Sequence, residues 1–255
     1  MGDVVIKIGF NSELLRMGIR QYVEINLTKN PHLALVGNTG SGKSYALSQI
    51  LGRVGLIEGS QIWLADYKNS EDYIIAPDPA RHRWYGRETY AQAITDFEAV
   101  VNARIQTENR DYSRDLRILC LEEYGSFLNS LDKKENESIK KSIASILFQA
   151  RFVNCFIFLC SQRIFAEQLI FGSRDSLTNV ILLASPSRQS LQAFLDAEDY
   201  KEMKPLGQGE GYLIREGKKP LEITIPTTTR PEKLQEAILR AVTRDNLDKL
   251  EVNDE

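Results

Sequence analysis

Three short stretches carry side chains whose types and spacing suit phosphate chemistry: Gly37-Asn38-Thr39-Gly40-Ser41-Gly42-Lys43-Ser44, Glu122-Glu123 and Ser161-Gln162-Arg163. The first is a complete G-x-x-x-x-G-K-S loop, preceded by the apolar run Leu33-Ala34-Leu35-Val36 and followed from Tyr45 to Leu51 by residues that read as the opening of a helix. Gly37, Gly40 and Gly42 allow backbone conformations that a β-carbon forbids. Successive N–H groups of the segment Gly37, Asn38, Thr39, Gly40, Ser41, Gly42, Lys43, Ser44 and Tyr45 can then converge on phosphate oxygens at a helix N-terminus. Lys43 is placed to reach the β and γ phosphates, and the Ser44 hydroxyl to complete a magnesium shell. The expected cofactors are ATP and Mg2+. A Gly-rich turn ahead of an ordinary helix is the bland alternative, and the Lys-Ser pair argues against it.

The second stretch closes an apolar run, Leu116-Arg117-Ile118-Leu119-Cys120-Leu121, with two acids. This is the Walker B arrangement, in which the first carboxylate, Glu122, holds magnesium directly or through water and the second, Glu123, polarises the attacking water. Two solvated acids at a strand end would look the same in isolation. In the third stretch, Asn154 to Cys160 form a near-continuous apolar run, the mark of a central parallel strand, ending in the amide of Gln162. An amide there can sense the γ phosphate and orient the water. A fourth candidate is Asp66-Tyr67-Lys68, at the C-terminal end of the apolar run Gln61 to Ala65, where open parallel sheets bind ligands. A solvated charged pair in a loop is the other reading.

Elements able to position these groups can be read from periodicity. Val4 to Phe10 and Tyr22 to Leu27 partly alternate and suit two edge strands of a leading hairpin-like piece. The spacing of Ala93, Phe97, Val100, Val101 and Ile105 predicts a long helix over 89–110; Ile139, Ile143, Ile146 and Leu147 predict another over 138–152, after a polar loop at 128–137. Leu177 to Leu183 read as a strand, and Leu206 to Ile225 as a Gly-rich turn and two strands joined at Arg215-Glu216-Gly217-Lys218-Lys219. Leu234, Ile238, Leu239 and Val242 give a terminal amphipathic helix, followed by an acidic end, Glu251 to Glu255. The expected organisation is N-terminal edge strands over 1–29, an ATPase domain over 30–230 and a terminal helix and tail over 231–255.

Composition narrows the class. The chain has 255 residues, 42% hydrophobic and 26% charged, as in a globular protein with a sizeable core. No apolar run approaches the ~20 residues of a membrane span, and the N-terminus lacks a signal peptide's apolar stretch, so a cytoplasmic location is expected. Cys120, Cys155 and Cys160 sit in apolar runs without metal-type spacing and read as reduced core residues; Trp63 and Trp84 read as core or interface aromatics. With a net charge of −3, any DNA binding must come from local clusters such as Lys133-Lys134, Lys140-Lys141 and Lys218-Lys219, or from a ring that multiplies them.

Taken together, Pro31-His32-Leu33 into the Gly-Lys-Ser loop, Asp66-x-Lys68, the Glu122-Glu123 strand end, Gln149-Ala150-Arg151, Cys160-Ser161-Gln162-Arg163 and Leu206-Gly207-Gln208-Gly209-Glu210-Gly211 resemble the motor domain of FtsK/SpoIIIE-type DNA translocases, within the FtsK–HerA group. The resemblance runs over 27–225. It implies a RecA-like α/β P-loop ATPase, with a mainly parallel sheet covered by helices on both faces. It also implies ATP contacts at Gly40, Gly42, Lys43 and Ser44, Glu123 as catalytic base, Gln162 as γ-phosphate sensor, and Arg151 as a finger extended into a neighbouring subunit of a hexameric ring. Arg151 also fits a cation closing a helix C-terminus.

Two departures stand out. The first Walker B carboxylate is usually Asp in the family and is Glu122 here. The membrane-spanning region and the winged-helix reader of chromosome-segregating members are not in this sequence. The expected function is an ATP-driven, ring-forming DNA translocase of compact, mobile-element type, double-stranded DNA favoured, serving transfer, replication or packaging with a membrane-bound, relaxase or replication partner. An FtsK-like ATPase acting on protein is the alternative, and a nucleotide-binding module with little turnover a third.

Overall fold

Strands buried on both faces must be apolar along their middle, and that is what 33–36, 62–65, 118–121, 155–160 and 180–183 supply. In the computed structural model, which describes residues 3–69, 78, 80–107, 115–169, 172–198, 200–201 and 203–243, these runs form the middle of one sheet. In chain order the elements are β1 (Val5–Asn11), α1 (Ser12–Arg16), β2 (Tyr22–Asn26), β3 (Leu33–Val36), α2 (Lys43–Gly55), β4 (Gln61–Asp66), β5 (Trp84–Tyr85) and α3 (Tyr90–Gln106). Then come β6 (Arg117–Glu122), α4 (Tyr124–Ser130), α5 (Lys133–Gln149), β7 (Cys155–Ser161), α6 (Ser173–Ser176), β8 (Val180–Leu183), α7 (Arg188–Phe194), β9 (Glu210–Ile214), β10 (Leu221–Thr224) and α8 (Pro231–Val242).

The ten strands run β2-β1-β10-β9-β8-β3-β7-β6-β4-β5. From β8 to β5 all neighbours are parallel, and from β8 to β2 all are antiparallel. The sheet has helices on both faces. Alternate side chains of β6, Ile118 and Cys120 against Leu119 and Leu121, enter two separate cores, one with α2 and α8 and the other with α3, α4 and α5. The mainly parallel α/β architecture expected from the motif order is what the chain adopts.

The parallel register fixes the site. Asp66 lies beside Glu122, Glu122 beside Cys160, and Val36 beside Ser161, so the ends of β4, β6, β7 and β3 share one edge. Gly37 N donates to Ser161 O at 3.2 Å and joins the phosphate loop to the end of β7.

Several boundaries differ from the sequence reading. The stretch 128–137 is not a polar loop: α4 reaches Ser130, and α5 starts at Lys133 behind a capping box in which Asp132 and Glu135 satisfy each other's backbone N–H groups. Its first turns are solvated, which is why no apolar repeat announces them. The helix closes at Gln149 and tightens into a 3₁₀ turn over Ala150–Val153. The next correction is that α3 starts at Tyr90 after a 3₁₀ turn at Arg87–Thr89 and ends at Gln106. Of the two N-terminal strands only β2 lies at an edge, since β1 pairs with β2 and with β10 in the same sheet. The strand read over 177–183 is confined to Val180–Leu183. The terminal helix docks on its own subunit against α2, where Gly52 and Gly55 make room for Leu234 and Ala237. The acidic end at 251–255 and residues 108–114 lie outside the described residues.

Candidate active site

The phosphate loop holds its shape for two reasons. Gly40 and Gly42 have φ of +81° and +88°, in the left-handed region that only glycine enters freely. Gly37 has ordinary φ and matters for space instead, because a β-carbon there would stand 2.4 Å from Ser41 Oγ. The helix begins at Lys43, two residues earlier than Tyr45, with left-handed Gly42 as its cap. A chain leaving β3 therefore turns straight into a helix N-terminus whose first N–H groups face outward, the arrangement that binds anions. Asn38 Nδ2 donates to Ser185 O at 2.9 Å and ties the loop to the segment after β8.

The catalytic candidates converge. Lys43 Nζ lies 2.9 Å from Glu123 Oε1 and 3.5 Å from Glu122 Oε1, and all three side chains are at most 7% exposed. Lys68 Nζ, from the turn after β4, lies 2.8 Å from the same Glu123 oxygen. Burial disfavours the Lys43 ammonium, yet the Glu122 and Glu123 carboxylates outweigh it and hold the amine above the ordinary lysine value. Glu123 mirrors this: burial raises its pKa, and Lys43 with Lys68 more than reverse that, leaving the carboxyl below its usual range. Two cations and two carboxylates thus neutralise each other, three of them buried and Lys68 half-exposed. Glu123 has φ +56°, rare for a residue with a β-carbon and the kind of outlier that clusters where function demands it. Gln162, half-buried, follows β7 at the same sheet edge, and Ser161 Oγ donates to Arg163 O at 2.8 Å to shape that turn.

Two further segments touch the loop. Gly209 N donates to Ser41 O at 3.0 Å, and a β-carbon on Gly42 would meet Gly209 N at 3.2 Å, so Gly207-Gln208-Gly209 packs against the phosphate loop. The sequence showed this segment as a Gly-rich turn and as one motif of the family resemblance, without its contact to the phosphate loop. Paired glycines before a strand are the signal that two backbones touch there. Tyr45, otherwise exposed, accepts a hydrogen bond from Thr228 N at 2.8 Å through its hydroxyl, which donates to Pro226 O at 3.3 Å. No sequence pattern foretold that contact.

No protein-family profile matches the chain. Among curated proteins it is 26% identical over 242 residues to the ESX secretion system protein EccC of Geobacillus thermodenitrificans (strain NG80-2), covering 87% of this chain and 15% of that protein. Among solved structures it is similar to the cytoplasmic domain of the Thermomonospora curvata type VII secretion ATPase EccC, with TM-score 0.69, 17% identity, and coverage of 94% of this chain and 31% of that one. It is also similar to the pCW3 conjugation coupling protein TcpA, a monomer form with ATPγS, with TM-score 0.65, 17% identity, and coverage of 92% and 70%. In fold the chain is similar to these proteins, and it carries a complete phosphate loop. It spans a small fraction of the EccC proteins it matches.

At this site the donor set suits magnesium. The Ser44 hydroxyl and the Glu122 carboxylate are hard oxygen donors at the phosphate end, and Mg2+ takes one or two such protein oxygens and fills its octahedron with water and phosphate. Among the described residues no group of three or more His, Cys, Asp or Glu could hold a metal ion. Arg151 lies elsewhere. It is exposed in the 3₁₀ turn before β7, at the end of that strand opposite Gln162, and its Nε donates to Thr28 O at 3.2 Å. Asp66 is fully buried and accepts from Lys68 N at 3.0 Å, which makes it a builder of the Lys68 turn. The three cysteines and both tryptophans are buried, and the cysteines are free. No helix of the described residues is long and apolar enough to cross a membrane.

Proposed function

We propose that this ATPase hydrolyses ATP in a ring of identical subunits and couples turnover to movement of a macromolecule, with double-stranded DNA as the substrate. The observation that carries the reading is Lys43 bridging Glu122 and Glu123 beside the phosphate loop. A lysine balanced between two carboxylates has a second set of anions to go to, the β and γ phosphates, and its departure frees Glu123 to polarise water. Ser44 and Glu122 would hold magnesium, directly or through water; bound there, the ion offsets phosphate charge. The Gln162 amide orients the water, and Asn38, Thr39, Gly40 and Ser41 with Tyr45 frame the nucleotide.

Arg151 is the reason for the ring. The seven residues of β7 separate it from Gln162, a span of roughly 20 Å, so it cannot serve its own site. Its neighbours Phe148 and Phe152 are 47% and 72% exposed, an aromatic rim of the sort that subunit interfaces bury. A second copy docking there receives Arg151 at its phosphates, where a guanidinium stabilises transition-state charge. The DNA reading is supported by the likeness to a conjugation coupling protein and by the basic hairpin Arg215 to Lys219.

The second reading, a motor acting on protein, is favoured by the 26% identity to a secretion system protein. Phosphate release by the wild type and Lys43→Ala, each with no polymer, single-stranded DNA and double-stranded DNA, tests both. The expected outcome is loss of turnover in Lys43→Ala and stimulation of the wild type by double-stranded DNA. Turnover indifferent to DNA transfers the assignment to protein transport, and no turnover under any condition leaves nucleotide binding alone.

A further inference from the structure

Lys68 has no role in the scheme above, yet it touches the centre of the site. Its ammonium lies 2.8 Å from Glu123 Oε1, the oxygen that Lys43 approaches at 2.9 Å. Glu123 is 1% exposed and Lys68 48%, so the second lysine reaches in from the rim. The two cations differ in what holds them. Lys43 stands on the phosphate loop and turns to phosphate when nucleotide binds. Lys68 belongs to the turn after β4, which is pinned from several sides. Lys68 N donates to Asp66 Oδ1 at 3.0 Å, and Arg87 N donates to Asn69 Oδ1 at 3.2 Å. Arg87 also donates from Nε to Tyr67 O at 3.3 Å and lays its guanidinium 4.7 Å from the Tyr67 ring centroid.

Tyr67 in turn packs edge-on against Tyr90 and Phe127, with centroids 6.0 Å apart in both pairs, and Tyr90 stacks on Phe127 at 4.1 Å. Phe127 is on α4, the helix that starts immediately after Glu123. The turn presenting Lys68 and the turn presenting Glu123 are therefore packed onto one aromatic cluster. Their spacing does not depend on the phosphate loop.

We propose that Lys68 is a positioning residue for Glu123, which keeps Oε1 when Lys43 leaves for the phosphates and so aims Oε2 at the attacking water. Oε2 is buried and accepts no hydrogen bond from the described residues. An ion pair on one carboxylate oxygen removes the rotation about the last side-chain bond and leaves the lone pairs of the other for water. Displacement of a reacting group by about 1 Å can lower a rate by on the order of a hundredfold, which is the scale a positioning residue controls.

The inference rests on Glu123 being the base, and the test separates the two. In the full chain, Lys68→Ala is expected to lower kcat roughly tenfold to a hundredfold while KM for ATP and affinity for ATPγS stay unchanged, and Lys68→Arg to recover part of the loss. Glu123→Gln is expected to abolish turnover. If Glu123→Gln retains turnover, the base assignment itself fails. If Glu123→Gln is inactive while Lys68→Ala turns over at the wild-type rate or faster, the positioning role alone is overturned. A loss in Lys68→Ala confined to KM or to ATPγS affinity overturns it as well.

Discussion

His32 shows how one residue ties the phosphate-loop strand to its surroundings. Its ring is fully buried just before β3, with Nδ1 accepting from Ile157 N at 2.9 Å and Nε2 donating to Leu147 O at 3.0 Å. That pattern fixes a neutral tautomer. Burial, with the charge of Arg151 nearby, pushes the pKa from 6.5 down to about 4. Between these values the unfolded chain takes up a proton that the folded chain refuses. The contribution of His32 is therefore fully present above pH 6.5 and lost as the pH falls toward 4, by roughly 3 kcal/mol in all. Urea midpoints of the wild type and His32→Gln, followed from pH 7.5 to 4, should converge on the acid side; parallel curves would show that His32 titrates normally in the fold. At this scale the sequence was readable where a residue type admits few uses. Lys43, Glu122, Glu123 and Gln162 sit at one sheet edge, because parallel strands bring their C-terminal ends together. The hold of Lys68 on Glu123 was not readable, since it depends on the packing of Tyr67 against Phe127 across 60 residues of sequence.

Among the elements, α2 and α8 pack backbone to backbone. A β-carbon on Gly55 would lie 2.4 Å from Ala237 O, and one on Gly52 would lie 2.6 Å from Leu234 Cβ. The approach is set by backbone and not by a flexible side-chain end, so it cannot relax locally. Gly55→Ala is expected to destabilise the fold by about 1–3 kcal/mol, read as a lower urea midpoint, even though alanine favours a helix. An unchanged midpoint would mean that α8 gives way freely and is not part of the cooperative unit. Because α2 carries the phosphate loop, the same variant is expected to weaken ATPγS binding. Apolar periodicity announced α8 but not its docking partner. It missed the start of α5 altogether, although Asp132 and Glu135, three residues apart, carry the capping signature. The first turns of that helix are solvated, so burial leaves no mark on their sequence. Conversely, β3, β6 and β7 were legible because the middle of a strand buried on both faces is a run of apolar residues.

For the whole molecule, the question is whether one subunit holds a complete site. Phosphate loop, Glu122, Glu123 and Gln162 share one end of the sheet, and Arg151, with Phe148 and Phe152, lies toward the other. In the proposed head-to-tail ring, one end of each subunit would meet the opposite end of the next and so unite them. Two inactive variants then become informative together. Arg151→Ala retains a complete phosphate site and lacks the finger; Glu123→Gln lacks the base and retains the finger. Mixed in equal amounts and allowed to exchange, they should form interfaces of which roughly a quarter pair an intact site with an intact finger, and turnover should reappear to a comparable extent. If Arg151 acts within its own chain, or only closes the end of α5 as a cation, no mixture regains activity. Replacing Phe152 by Asp in both partners should abolish the recovery by placing a charge in the buried rim of the interface.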